Sequence, residues 1–193
     1  MKIPSLLRIV LAAATCAAVT GAPAGAALKP GDTAPLFDTQ ASLGGNVFDF
    51  NLADALKKGP VVLYFYPAAF TQGCTLEAHD FAEHMEDYRK LGATVIGVSG
   101  DGIDKLQKFS VSECRSKFPV ASDSDHKIST EYDALLAAGN ETYSNRTSYV
   151  IAPNAKVVYS YTSLDYSEHV ANTLQALRKL VPPPPAAAPP VPY

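Results

Sequence analysis

The apolar run VVLYFY at residues 61–66 is the feature that most constrains the fold of this chain. Its β-branched and aromatic content and its end at Pro67 are typical of a strand buried on both faces. A segment with helical periodicity follows over 72–90, with Thr71 as N-cap and Cys74 at the third helical position. Backbone N–H groups in a first turn lack intrahelical acceptors, and the helix dipole favours negative charge there. Cys74 is therefore predicted to ionise more readily than an ordinary cysteine.

Residues 1–26 are predicted to be a secretory signal peptide. Two basic residues precede a short apolar stretch over 9–19, and small residues follow at 24–26 (AGA), a pattern typical of an export leader and its cleavage site. The apolar stretch is too short for an ordinary transmembrane helix. Cys16 leaves a lipoprotein leader open, although the residues before it match a lipidation site poorly. We therefore expect an exported protein, periplasmic or secreted after cleavage.

Residues 181–193 contain seven prolines, which predicts a disordered, extended tail. Between leader and tail, residues 27–180 have the length of one domain. Removing the leader moves the formal net charge from −3 to −5, because the leader carries two basic residues and no acidic one. This balance indicates neither a nucleic-acid nor a membrane partner. Cleavage would leave Cys74 and Cys114 as the cysteines, a pair that a plain structural disulfide would also explain.

The order of the predicted elements favours an α/β fold. Buried strands are predicted over 61–66 and 93–98, with the 72–90 helix between them and another helix over 103–114. Shorter strands are predicted over 36–40, 46–50, 118–122, 148–151 and 156–161, and further helices over 52–58, 125–136 and 168–180. Gly44 and Gly45 mark a hairpin turn between the first two strands. This order is that of a thioredoxin-like sandwich, with a mixed sheet and helices on both faces.

An apolar stripe on the 72–90 helix includes the cysteine. The stripe consists of Cys74, Ala78, Phe81, Ala82, Met85 and Tyr88. Cys74 is thus expected on the buried face of the first turn, at the floor of a small pocket. Small oxidants could reach a thiol there, whereas bulky electrophiles could not.

The residues around Cys74 also resemble a known motif. The pattern Pro67-x-x-x-Thr71-x-x-Cys74, directly after an apolar strand, resembles the active-site signature of peroxiredoxins, which are thiol peroxidases on a thioredoxin-like fold. The longer string YFYPAAFTQGCTLEAHDF resembles their bacterioferritin-comigratory, or Q-type, branch. The resemblance extends over residues 28–180, where FPVASDSD and NRTSYVIAPNAKVV occur in family order. It implies a peroxidase acting on hydrogen peroxide and small organic hydroperoxides.

The resemblance implies roles for individual residues. Cys74 matches the peroxidatic cysteine, whose thiolate attacks the peroxide. Thr71 matches the residue whose hydroxyl bonds the thiolate or the peroxide, and Pro67 matches the proline that shapes the pocket. Arg146 matches an arginine that approaches the cysteine from a neighbouring strand, where its fixed charge favours the thiolate and stabilises the leaving oxygen. Glu77 matches a helix acid that could orient this arginine, or it is merely an acid favoured near a helix N-terminus.

The chain departs from a common peroxiredoxin pattern in the position of the resolving cysteine, which returns the oxidised peroxidatic cysteine to a reducible disulfide. Many Q-type peroxiredoxins have a resolving cysteine five residues after the first, a position that His79 occupies here. Others place it in the helix after the next strand, which matches Cys114 and implies an intramolecular disulfide with Cys74. Since Cys74 faces inward, that bond would require the first helical turn to unwind. Two alternatives stay open: a one-cysteine mechanism with Cys114 idle, and a static structural disulfide.

The resemblance implies no metal and no other cofactor. No metal-ligand spacing links the four histidines, which are expected at the solvated surface: His79, His84, His126 and His169. The expected partners are the peroxide and a thioredoxin-like protein or small thiol, and a monomer or weak homodimer is expected. A disulfide oxidoreductase or metallochaperone is disfavoured, because Thr71 and Ala78 stand where those proteins need a second cysteine. A non-catalytic thioredoxin-like module with an inert disulfide is the other class left open.

Overall fold

The computed structural model describes residues 27–181, so the predicted leader and all but the first residue of the predicted tail lie outside it. Its strands are β1 (Asp38–Leu43), β2 (Asn46–Asn51), β3 (Val61–Phe65), β4 (Thr94–Ser99), β5 (Val120–Ser122), β6 (Leu135–Ala138), β7 (Glu141–Ser144), β8 (Thr147–Ile151) and β9 (Val157–Thr162). Its helices are α1 (Leu52–Leu56), α2 (Gln72–Glu83), α3 (Met85–Lys90), α4 (Ile103–Ser112), α5 (Lys127–Glu131) and α6 (His169–Leu180). None of these helices is long and apolar enough to cross a membrane.

Seven strands form one mixed sheet in the order β2-β1-β5-β4-β3-β8-β9, and β6 and β7 form a separate hairpin. The central pairs β3–β4 and β4–β5 are parallel, whereas β3–β8 and the outer pairs are antiparallel. The mixed thioredoxin-like sheet that the sequence predicts is therefore confirmed, as is the hairpin turn between β1 and β2.

Strand β3 separates two apolar cores because its side chains alternate between the faces of the sheet. Val62 and Tyr64 pack into the core that contains residues of α2, α4 and α6. Val61, Leu63 and Phe65 pack into the opposite core, which contains residues of α1 and α5. All five residues are at most 1% exposed, which explains why this strand reads as a continuous apolar run.

The single helix predicted over 72–90 is wrong, because the chain forms α2 and α3 with a break at His84. His84 has φ −94° and ψ 8°, outside the helical range. Its Nδ1 donates to the Asp80 carbonyl at 3.0 Å, the same oxygen that accepts the His84 backbone N–H at 3.2 Å. The ladder bond is thus kept, and the break consists of the non-helical backbone angles of His84. The apolar stripe nevertheless stays buried on both sides of the break.

The helix predicted over 125–136 is also wrong beyond Glu131. Asp133 adopts a left-handed conformation with φ 50°, which an α-helix cannot continue through. The Ala134 N–H instead donates to the Ser129 carbonyl at 2.8 Å. The chain then enters the β6–β7 hairpin, which was not predicted and which turns at Gly139 with φ 65°.

Candidate active site

The candidate site lies where the carboxyl end of β3 meets the start of β8. These strands are antiparallel, and Phe65 at the end of β3 pairs with Thr147 at the start of β8. The loop that begins at Pro67 and the side chain of Arg146 are consequently neighbours, although 79 positions separate them. Pro67 is partly buried at the start of this loop, and Arg146 is 5% exposed.

The first turn of α2 carries the thiol as predicted. Thr71 is the N-cap residue with an extended backbone, and Cys74 is the third helical residue, 2% exposed. The Thr71 carbonyl accepts the Thr75 N–H at 2.9 Å. The Thr71 hydroxyl, however, donates to the Ala68 carbonyl at 2.9 Å and makes no capping bond. In this structure the hydroxyl thus fixes the loop, and its predicted contact with a thiolate or a peroxide stays a prediction.

Arg146 reaches the thiol with each of its nitrogens engaged. Its Nη2 donates to Cys74 Sγ at 3.4 Å, its Nη1 donates to Glu77 Oε2, and its Nε donates to the Leu164 carbonyl at 3.0 Å. Three partners on one planar group fix the guanidinium in position as well as in charge. Gly73 leaves room for it, since a Cβ there would lie 3.2 Å from Nη2.

Burial and neighbouring charges shift the pKa values of Arg146 and Glu77 in opposite directions. Burial lowers the pKa of Arg146, but the negative charges of Glu77 and Cys74 outweigh that effect and raise it overall. Burial raises the pKa of the fully buried Glu77 above the usual carboxyl range, while Arg146 acts to lower it. Glu77 Oε1 has no hydrogen-bond partner and faces His169 Nδ1 at 3.8 Å. The site therefore concentrates positive charge beside the thiol and leaves one carboxylate oxygen incompletely satisfied.

Comparison with known proteins supplies the family. The AhpC/TSA family profile matches residues 30–160. The chain belongs to this family. Peroxiredoxin Bcp of Escherichia coli is 32% identical over 146 residues, which are 74% of this chain and 90% of the relative. The crystal structure of peroxidoxin BcpB from Mycobacterium tuberculosis has a TM-score of 0.72 at 30% identity, covering 79% of this chain and 98% of that one. Peroxiredoxin Q from Xanthomonas campestris has a TM-score of 0.64 at 27% identity, covering 72% and 89%.

The predicted peroxiredoxin family and its thiol peroxidase function are thereby confirmed. The match spans the segments that carry Cys74, Cys114 and Arg146. It does not by itself assign a role to any one of them. Among residues 27–181, no group of three or more histidine, cysteine, aspartate or glutamate side chains could hold a metal ion.

One histidine of this peroxiredoxin lies where the sequence did not predict it. His169 is completely buried, so its expected surface position is wrong. Its Nε2 donates to the Ser163 carbonyl at 3.0 Å and its Nδ1 accepts from the Ser148 hydroxyl at 2.8 Å. Burial lowers its pKa to about 4, so the ring is neutral near pH 7. Helical spacing could have revealed this, because His169 lies four and eight residues before the buried Thr173 and Leu177.

Cys114 follows α4 and lies in the same apolar core as Cys74, and both are free thiols. It is 0% exposed. Burial raises the pKa of Cys114 well above its usual value, and the Glu113 charge raises it further. The two residues after it have left-handed φ values of 51° and 55°. His79, in the position of the common resolving cysteine, contacts Glu113 through Nε2 and Oε2 at 2.8 Å.

Proposed function

We propose that Cys74 is the peroxidatic cysteine of this thiol peroxidase. The observation that supports this most directly is the 3.4 Å hydrogen bond from Arg146 Nη2 to Cys74 Sγ in a nearly dry environment. A fixed guanidinium stabilises a thiolate, and it also stabilises the negative charge that develops on a leaving oxygen. The first turn of α2 adds its unpaired N–H groups and its dipole.

The reaction transfers one oxygen atom to sulfur. The Cys74 thiolate attacks the nearer peroxide oxygen, so that an S–O bond forms while the O–O bond breaks. The electron pair of the broken bond goes to the departing oxygen, which takes up a proton and leaves as water or an alcohol. Cys74 becomes a sulfenic acid. Pro67 and the loop after it would form the wall of the pocket, and the Thr71 hydroxyl would turn toward the bound peroxide.

Cys114 is proposed as the resolving cysteine. Its thiol would attack the Cys74 sulfenic acid, which forms a disulfide and releases water. A dithiol reductant, a thioredoxin-like protein or a small thiol, would then transfer two electrons and restore both thiols. Since each sulfur is packed in the core, the first turn of α2 and the segment at Cys114 must both leave their present positions. The buried, weakly acidic thiol of Cys114 equally supports the alternative, in which external thiol reduces Cys74 and Cys114 stays idle.

Two substitutions test these assignments on peroxide consumption with a dithiol reductant. Cys74→Ser should abolish consumption, and an unchanged rate would falsify the peroxidatic role. Cys114→Ser should react once with peroxide and then accumulate sulfenic and higher oxides at Cys74. One equivalent of peroxide should give a Cys74–Cys114 disulfide in the wild type by peptide mapping. If Cys114→Ser turns over as fast as the wild type with a small thiol, the one-cysteine mechanism is correct.

We further propose that the protein is exported to the periplasm or secreted, on the evidence of the leader pattern in residues 1–26. Its reductant would then have to act in the same compartment. Fractionation of cells that express the full chain, with sequencing of the mature N-terminus, tests this. A full-length protein in the cytoplasm would contradict it. The expected monomer or weak homodimer is tested by sedimentation of the same material.

A further inference from the structure

A residue outside the motif around Cys74 holds the loop of the active site. Asp101 lies just beyond β4, and β4 runs parallel to β3, so the segments that follow these two strands emerge at the same edge of the sheet. There Asp101 Oδ2 accepts the backbone N–H of Ala69 at 2.6 Å. The same oxygen accepts the Ser99 hydroxyl at 2.9 Å. The Asp101 side chain is 11% exposed, so both bonds are largely protected from water.

The loop needs such an anchor because its backbone is strained. Phe70 has φ 69°, the left-handed region that a bulky residue seldom adopts. A conformation of this kind persists only where the surroundings hold it. On one side of Phe70, Ala69 is bound to Asp101, and on the other side Thr71 is bound through its hydroxyl to the Ala68 carbonyl. The strained residue is thus fixed from both sides.

This loop leads directly into the turn that carries the thiol. Ala69 is 2% exposed and packs in the same apolar core as Cys74. Thr71, two residues later, is the N-cap of α2. A shift of the loop would therefore move the start of α2, and with it Cys74 relative to Arg146, whose Nε is held from outside α2 by the Leu164 carbonyl at 3.0 Å.

We propose that Asp101 is a positioning residue for the peroxide reaction: through the Ala69 N–H, its carboxylate holds loop 67–71 in the conformation that aligns Cys74 with Arg146. Asp101 touches neither the sulfur nor the peroxide and acts only through Ala69. The proposal rests on the peroxidatic role of Cys74.

A purely structural role must be distinguished, because Asp101 also has contacts away from the loop. Its Oδ1 pairs with Lys105 Nζ at 2.6 Å, and its backbone carbonyl accepts the Ser122 hydroxyl at 2.8 Å. Lys105→Ala removes the ion pair and keeps the bond to Ala69, which makes it the matched control. Asp104→Ala removes a neighbouring exposed acid and controls for net charge.

The experiment measures the second-order rate constant of Cys74 with hydrogen peroxide in single-turnover mode, with urea unfolding of each variant in parallel. Asp101→Ala should lower the rate constant about ten- to hundredfold, because a misplacement of about 1 Å between reacting groups can cost about a hundredfold in rate. Asp101→Asn keeps an oxygen that can accept the Ala69 N–H, so it should retain most of the rate. Lys105→Ala and Asp104→Ala should react like the wild type.

Three results would overturn the proposal. The first is an Asp101→Ala rate within twofold of the wild type. The second is an equal loss of the rate constant in Asp101→Ala and Lys105→Ala, in proportion to the fall in their urea midpoints. If Asp101→Ala does not fold, the double variant Asp101→Ala/Phe70→Gly decides, since glycine adopts φ 69° without strain. This double variant should fold and should react with peroxide at part of the wild-type rate. A folded double variant without measurable reaction is the third result that would overturn the proposal. A wild type without Cys74-dependent reaction would instead refute the proposed function.

Discussion

Removing the His79 side chain should speed disulfide formation between Cys74 and Cys114. His79 lies on α2, the helix that carries Cys74, and Glu113 directly precedes Cys114. Their Nε2–Oε2 contact of 2.8 Å therefore ties the Cys114 segment, which must move in the proposed recycling step, to the body of α2. Movement of the Cys114 segment away from α2 would break this contact, so the contact favours the folded arrangement.

The size of the effect follows from the exposure of the pair. The side chains are 32% and 18% exposed, so a partly screened contact of about 0.5–1 kcal/mol is expected. Its loss in His79→Ala should raise the opened population, and the rate of disulfide formation, about two- to fivefold. Alanine favours helix more than histidine does, so the substitution does not weaken α2 through helix propensity. The reaction with peroxide should be unchanged, because no hydrogen bond of His79 involves Cys74 or Arg146.

The assay mixes reduced protein with one equivalent of peroxide, quenches with an alkylating agent at intervals and measures both cysteines by mass spectrometry. Lys57→Ala is the control, since it breaks an exposed pair with Asp54 on α1, away from both cysteines. A disulfide rate in His79→Ala equal to that of the wild type would refute the reasoning, and so would an equal gain in Lys57→Ala. Absence of the disulfide from every protein would show that Cys114 does not resolve Cys74.

Two further predictions concern residues close to Arg146. Gly73→Ala should slow the peroxide reaction several-fold, about tenfold at most, because the added Cβ would lie 3.2 Å from Arg146 Nη2 and push the guanidinium away from Cys74. Stopped-flow measurement of the reaction tests this, and an unchanged or faster reaction would contradict it. The second prediction concerns His169, whose pKa is lowered by burial to about 4. As the pH falls from 7 to 5, the unfolding free energy of the wild type should fall by about 2 kcal/mol on account of this residue, because the imidazole takes up a proton in the unfolded chain but not in the folded one. Urea unfolding of His169→Gln should show a correspondingly flatter pH dependence. Glu77, whose pKa is raised, contributes to the pH dependence of stability with the opposite sign. The quantity to compare is therefore the difference in unfolding free energy between the wild type and His169→Gln at each pH.

The buried strand β3 and the helix α2 were predictable because each has a continuous pattern of apolar residues in the sequence. The run at β3 and the stripe of α2 both consist of residues that face a core, and both are observed. The break at His84 and the end of α5 were not predictable in this way. Each depends on the backbone conformation of one residue, the non-helical His84 in the first case and the left-handed Asp133 in the second. Hydrophobic periodicity carries no information on either.

The residues of the site likewise fall into a predictable group and an unpredictable one. Cys74, Arg146 and Glu77 could be nominated because a motif resemblance names them, and the structure brings them together. Asp101 and His169 could not, since their roles arise from contacts with Ala69 and Ser148 over separations of 32 and 21 residues. Such contacts exist only once the order of strands in the sheet is known. A propensity argument at the level of single segments cannot reach them.

The two thiols share one apolar core but have different electrostatic surroundings. Cys74 has a guanidinium at 3.4 Å and the N-terminus of a helix beside it. For Cys114, both burial and its acidic neighbour Glu113 raise the pKa and disfavour the thiolate. Because a thiolate is the reactive form, the proposed mechanism has Cys74 react with peroxide in the folded state, where Cys114 does not compete for it. In that mechanism Cys114 would gain reactivity when its segment opens, so the burial that disfavours its thiolate would also set the order of the two proposed steps.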